Sequence, residues 1–299
     1  VSRKGATALA EGTGKATLLR VGYGLGMILG LAGVFLLDFL SGKNVASTLA
    51  LVATGGLGCW EVYALCERKG LRPWKVTGAA AGGLLFVAQW LDAEIAPGEG
   101  MPVTVAFCLG VLFLLALLAL LRRAGRATVI EDLSVTIFGL FYVGFLLSFT
   151  FQLRNDPDLP GTAGLWLTLL FLGTSKIGDI AAFFTGSLVG KRRLAPPISP
   201  NKTLEGSLGG LLASIGFALL FCPAIPALRF LPAVPFALAF GVTVGVLSQT
   251  GDLFESLLKR SVHAKDSGAL VPEFGGVLDL IDGLLFSGPA AWFLVLLFR

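Results

Sequence analysis

The sequence predicts an all-α, polytopic integral membrane protein of about nine transmembrane helices with a cytoplasmic N-terminus. Three observations carry that expectation. Of 299 residues, 55% are hydrophobic and only 14% are charged, and the mean hydropathy is +0.83. Apolar stretches of roughly 20 residues, the length a helix needs to cross the hydrocarbon core, recur along the whole chain and leave no soluble domain of useful size. Lys and Arg are also distributed unevenly about those stretches. Eighteen of the 23 fall on one side, while Lys43, Arg154, Arg229 and Arg299 fall on the other and Lys176 lies within a span. Basic residues favour the cytoplasmic side, which places the N-terminus and the long polar loops inside and the C-terminus outside; that alternation needs an odd number of spans.

The elements follow in order. Residues 1–16 lack apolar periodicity and read as a mobile N-terminal arm. The run from Val21 is as long as a span and is followed at once by others, so 18–40 is expected to be a first transmembrane helix and not a cleaved signal peptide. Further spans are expected at 45–66, 76–96, 102–121, 129–152, 163–189, 204–222, 235–258 and 278–298. The polar motifs concentrate late, dividing the chain into the arm, transmembrane helices over 17–160 and a C-terminal transmembrane catalytic region over 161–299. Cys59, Cys66, Cys108 and Cys222 are scattered singly in apolar runs and read as packing or lipid-facing residues. The net charge of +4 sits beside spans, where it meets anionic lipid headgroups; no nucleic-acid partner is expected. Gly22-x-Gly24-x-Gly26 lies within a span without a preceding strand, so it reads as helix packing and not as a dinucleotide fingerprint.

Two loops on the basic side look chemical, 190–203 and 259–277. In the first, Pro196, Pro197 and Pro200 stop the preceding helix, and Asn201 or Thr203 can cap the next. Lys202 and Thr203 then sit beside free backbone amides, a ready phosphate site. A basic loop that merely obeys the charge rule is the alternative, countered by Asp179 in the span leading into it. Around the second loop, Asp252, Ser256 and Lys259 fall at i, i+4 and i+7 on one helix face. Lys265-Asp266-Ser267-Gly268 and Gly275-Gly276 follow as a flexible polar connection, and Asp279 and Asp282 share a face of the last span. Carboxylates approaching from two helices with lysines nearby suit a magnesium ion and a polyphosphate together. A network of buried ion pairs is the structural alternative. Charges this dense are costly in a membrane, which makes the cluster a functional candidate.

The blocks Ser199-Pro-Asn-Lys-Thr-Leu-Glu-Gly206, Gly251-Asp-Leu-Phe-Glu-Ser-Leu-Leu-Lys-Arg260, Lys265-Asp-Ser-Gly268 and Gly275-Gly-Val-Leu-Asp-Leu-Ile-Asp282 resemble the phosphatidate cytidylyltransferase, or CDP-diacylglycerol synthase, family. The resemblance spans roughly 170–290 and is specific, because separated polar blocks match in order and spacing. The N-terminal half matches only as generic transmembrane helices. It implies a metal-dependent reaction of CTP with phosphatidate giving CDP-diacylglycerol and pyrophosphate, at a site facing the cytoplasm of a bacterial inner membrane. Asp252, Asp279 and Asp282 are the expected metal ligands or their close supports, with Asp179 and Asp266 behind them. Lys202, Lys259, Arg260 and Lys265 are the expected phosphate contacts, and Ser199, Thr203, Ser256 and Ser267 hydrogen-bond partners. The expected cofactor is Mg²⁺, with a second, monovalent cation as an addition; membrane lipids and a homodimer complete the expected partners.

The chain departs from the family pattern where Phe274 replaces a His and Leu280 an Arg, so no role of that His or Arg carries over. Asp179-Ile180-Ala181 keeps only the carboxylate of a third block. A cytidylyltransferase acting on another lipid phosphate is a near neighbour of this reading. A secondary transporter of anionic solutes is the alternative of a different class, disfavoured because no internal repeat pairs the halves and the polar residues do not gather at the midplane.

Overall fold

The computed structural model describes residues 26–27, 29–95, 97, 101–121, 128–264, 266–268 and 275–299. The expected arm over 1–16, the first third of the first expected span, Lys265 and Phe274 lie outside them. Among the described residues, eight helices are long and apolar enough to cross a membrane, preceded by a shorter apolar helix, α1 (Leu29–Ser41). The spans are α2 (Val45–Arg68), α3 (Lys75–Ile95), α4 (Pro102–Leu121), the compound helix Val129–Asn155, α7 (Ala163–Val189), α8 (Leu204–Ala224), α9 (Ala233–Ser261) and α10 (Leu278–Phe298). The compound helix is α5 (Val129–Gly139) and α6 (Leu146–Asn155), joined by a π-helical turn over Leu140–Phe145. The protein is an all-α, multi-pass membrane protein. Lipid contact explains α4 best: it is apolar all round, and only Thr104 and Leu115 are buried.

Among the described residues a two-stranded sheet lies in the first polar loop. Arg193–Ala195 (β1) and Ser199–Thr203 (β2) pair antiparallel, with Arg193 opposite Thr203 and Ala195 opposite Ser199. Pro196 and Pro197 occupy the turn, and Pro200 is tolerated because a two-stranded hairpin has only edge strands. Thr203 ends β2 and caps α8, its Oγ1 accepting from Gly206 N at 3.1 Å, as the loop composition suggests.

The C-terminal half is a chain of neighbours: α7 packs on α8, α8 on α9 and α9 on α10, with α6 closing against α7 and α10. The α9–α10 contact is the tightest near the polar motifs. A Cβ on Gly251 would stand 3.2 Å from Gly283 Cα and closer still to the Asp282 carbonyl; one on Gly283 would stand 3.2 Å from the Ser248 carbonyl oxygen. At the far end Arg299 closes onto Asp156 and Asp158 at 3.0 Å each, tying the end of α10 to the α6–α7 connection.

Gly251→Ala is expected to lower the thermal unfolding midpoint in detergent, because overpacking a close contact costs about 1–3 kcal/mol. Gly216→Ala, on α8 where an added Cβ meets nothing within 4 Å, is expected to hold or raise the midpoint, since Ala gains up to about 1 kcal/mol over Gly in a helix.

Candidate active site

Six carboxylates are buried among the described residues: Asp38, Glu61, Asp92, Asp132, Glu255 and Asp282. In hydrocarbon an unsatisfied backbone amide costs several kcal/mol, and four of the six carboxylates accept from amides of another segment of the chain. Asp38 accepts from Ala46 and Ser47 N at the start of α2, and Asp92 from Val103 and Thr104 N at the start of α4. Asp132 accepts from Arg72 N, and Glu61 from Val277 and Leu278 N. Glu255 and Asp282 differ. Their carboxylates lie with that of Asp252 so that one oxygen from each falls within 4.8 Å of the others. Glu255 is 0% exposed and pairs with the Lys259 ammonium one turn on, but neither oxygen meets a backbone or hydroxyl donor among the described residues. Asp282 accepts from Gly283 N at 2.6 Å.

Local structure brings the three together. Asp252 and Glu255 are one turn apart on α9, Asp282 is in the second turn of α10, and the approach at Gly251 and Gly283 leaves the intervening carboxylates facing each other. Three like charges this close repel, and Lys202 and Lys259 offset part of that charge. Lys259, 11% exposed, reaches across from α9 to Asp279 on α10 as well as to Glu255. Asp279 is otherwise committed, taking Ser267 Oγ at 2.6 Å, Gly276 N at 2.8 Å and Ser267 N at 3.2 Å. It organises the second loop and stands outside the carboxylate group.

Asp252 also lines a cavity of about 520 Å³ between α7, α8, α9 and the hairpin. That volume is ordinary for a small-molecule site. Lys202 Nζ meets Asp252 Oδ2 across it at 2.5 Å, and Asp179, paired with Lys176 at 3.2 Å, forms part of its wall. Asp179 lies ten residues before the end of α7, about 15 Å along the helix axis, so the cavity carries polar groups well into the helical region. Phe183 lines the same cavity while 69% exposed, so an exposed apolar part of α7 borders it.

The other expected residues are placed as follows. Thr203 lines the cavity as the α8 cap, and Ser267 sits buried between Asp279 and Glu61. Arg260 pins the hairpin, donating to Ile198 O at 3.3 Å and Ala264 O at 3.2 Å. Ser199 is half-buried in β2, Ser256 is half-buried beside Glu255, and Asp266 is exposed. The expected metal set and the observed group therefore overlap at Asp252 and Asp282, with Glu255 as the third member. Glu255 was available to sequence reasoning as an acid three residues after Asp252 in an apolar helix. In the sequence the third place goes to Asp279, and Ser256, on nearly the same face as Glu255, reads as a hydrogen-bond partner.

A second feature comes from the N-terminal half. Tyr142, in the π-helical turn, is 2% exposed, and its ring packs edge-on against Phe254 and Phe286 at 5.3 and 6.3 Å. These flank the carboxylate group on α9 and α10. Its hydroxyl has no hydrogen-bond partner among the described residues. π-Helical turns often mark functional sites.

Sequence comparison fits this geometry. Residues 20–298 match the model of the cytidylyltransferase family, nearly the whole chain and every element of the site. The chain belongs to the cytidylyltransferase family. Its relatives include proteins named phosphatidate cytidylyltransferase from three bacteria. The Synechocystis protein is 30% identical over 90% of this chain and 94% of its own length, and the Bacillus subtilis protein 30% identical over 89% and 94%. The Thermotoga maritima protein is 35% identical over 64% of this chain and 67% of its own.

Lys259→Met leaves buried Glu255 and half-buried Asp279 without their shared cation, a loss of about 3–5 kcal/mol that shows as a lower unfolding midpoint. Adding Glu255→Gln is expected to restore much of it, because the orphaned charge is then gone.

Proposed function

We propose that this cytidylyltransferase-family protein is a phosphatidate cytidylyltransferase, converting CTP and phosphatidate to CDP-diacylglycerol and pyrophosphate. One observation supports the assignment most directly: Asp252 belongs both to the three-carboxylate group and to a cavity bordered by a basic loop and an exposed apolar part of α7. A water-soluble triphosphate and a membrane-bound phosphate have to meet at such a place. The names of the relatives support the same substrates.

In this reading a phosphatidate oxygen attacks the α-phosphorus of CTP. A new P–O bond forms as the bond to the β-phosphate breaks, and pyrophosphate leaves with the electron pair. The nucleophile is already anionic, so no strong general base is needed and catalysis reduces to positioning and charge stabilisation. Lys202, paired with Asp252 just before α8, exchanges that carboxylate for a substrate phosphate in this reading. Lys259 holds α9 and α10 in register. The phosphatidate acyl chains remain in hydrocarbon beside Phe183 while the headgroup enters the cavity.

Asp252, Glu255 and Asp282 fit a hard divalent cation such as Mg²⁺: all three donors are carboxylates, and Glu255 has no competing backbone or hydroxyl donor. When bound there, the ion supplies charge neutralisation for the triphosphate as pyrophosphate departs. The basic loops favour a cytoplasmic orientation of the cavity in a bacterial inner membrane.

Purified protein given labelled CTP and phosphatidate is expected to form CDP-diacylglycerol only with Mg²⁺, and Asp252→Asn, Glu255→Gln and Asp282→Asn each to lower kcat at least about 100-fold. Product formation in the metal chelator EDTA, or an unchanged rate in all three variants, contradicts the reading. For orientation, a Cys at Asn201 in a cysteine-free background is expected to react with impermeant maleimide in inside-out vesicles and not in intact cells.

A further inference from the structure

Glu61 lies in the second half of α2, in the part of the chain whose sequence reads only as generic transmembrane helix, and is 2% exposed. Its hydrogen-bond donors among the described residues all lie more than 200 positions away. Val277 N donates to Oε1 at 3.0 Å, Leu278 N to Oε2 at 2.8 Å, and Ser267 Oγ lies 3.2 Å from Oε2. The surrounding backbone leaves room for this carboxylate alone, because a Cβ on Gly268 or Gly276 would run into it.

These donors belong to the start of α10, the helix that carries Asp279 and Asp282. The first amides of any helix lack internal partners and are usually capped by a side chain just before it. Val277, in the cap position, makes no side-chain cap bond, and Glu61 supplies the cap from another helix. An anion at a helix N-terminus is favourable and more so when buried. The neighbouring amide, Gly276 N, goes to Asp279, and the Ser267 hydroxyl sits between the two carboxylates, 2.6 Å from Asp279 and 3.2 Å from Glu61. Glu61 and Asp279 thus divide one short stretch of backbone between them.

We infer that Glu61 is a positioning residue for the active site: it holds residues 267–268 and the first turn of α10 so that Asp279 can clamp Lys259 and Asp282 can face Asp252 and Glu255. The effect on metal use rests on the proposed cytidylyltransferase reading; the effect on the backbone does not. Glu61→Gln keeps the size but replaces an acceptor with a donor that faces amides. It should raise the Mg²⁺ concentration for half-maximal activity and lower kcat by about 10- to 100-fold, as loss of a ligand's support does, while KM for phosphatidate changes little. Ser267→Ala acts through the same Asp279, so the double variant should lose less than the two single losses multiplied.

The experiment pairs amide hydrogen exchange of the purified protein with a Mg²⁺ titration of CDP-diacylglycerol formation. Glu61→Gln is compared with Glu67→Gln, whose carboxylate pairs with Lys75 at the surface. Peptides covering 275–282 should exchange at least about tenfold faster in Glu61→Gln, with α7 and α8 unchanged and Glu67→Gln like wild type. Glu61→Asp, which keeps the charge but falls short of the amides, should reproduce the shift and serves if the Gln variant does not fold. Unchanged exchange at 275–282 overturns the inference. So does faster exchange throughout the protein with an unshifted Mg²⁺ dependence, which would make Glu61 a general stabiliser. If the wild-type protein made no CDP-diacylglycerol, the enzymatic reading would fall, and the exchange comparison would still decide whether Glu61 holds α10.

Discussion

Everything chemical in this protein depends on how closely α9 and α10 approach. At Gly251 and Gly283 the two backbones leave no room for a Cβ, and the residues beside those glycines, Asp252 and Asp282, are forced to face each other with Glu255 between them. Mutual repulsion opposes this arrangement. Packing on both sides holds it: Tyr142 wedged against Phe254 and Phe286, Ser175 Oγ bonded to Ser248 Oγ at 2.8 Å, and Lys259 tied to both helices. The fold thus keeps a concentrated negative charge, which Lys202 engages at Asp252 and Lys259 at Glu255. A site of that kind is poised for a further cation.

The membrane setting sharpens the division of labour among acids. With little water to satisfy backbone amides at depth, a buried carboxylate is a natural helix cap, and Asp38, Asp92 and Glu61 serve helix starts in that way. Acids that do not serve amides stand out against this background. Glu255 is the clearest case, which is why its placement counts for more than the number of acids nearby. The N-terminal half supports the site indirectly, through Glu61 at the start of α10 and Tyr142 in the π-helical turn.

Much of this was legible in the sequence. The spans over 102–121, 163–189 and 278–298 coincide with α4, α7 and α10 because apolar length is dictated by the bilayer and the polar loops bound it sharply. Lys202, Thr203, Asp252, Lys259, Ser267, Asp279 and Asp282 all reach the cavity, the carboxylate group or the loop beside it. The hairpin was hidden because three prolines in eleven residues read as irregular chain, and strand pairing is a non-local property. Glu255 was hidden by angular degeneracy: on a helix it and Ser256 lie on neighbouring faces, and only packing decides which turns inward. Glu61 was out of reach because its partners are more than 200 positions away and its own surroundings are plain transmembrane helix.

The proposed divalent-cation site of Asp252, Glu255 and Asp282 is assembled by α9 and α10. Equilibrium binding of Mn²⁺ to the purified protein, read from the EPR signal of the free ion with CTP present, tests it without reliance on turnover. Affinity is expected to fall at least about tenfold in Glu255→Gln and in Asp282→Asn and to stay unchanged in Asp266→Asn. Wild-type affinity in Glu255→Gln and Asp282→Asn would contradict it.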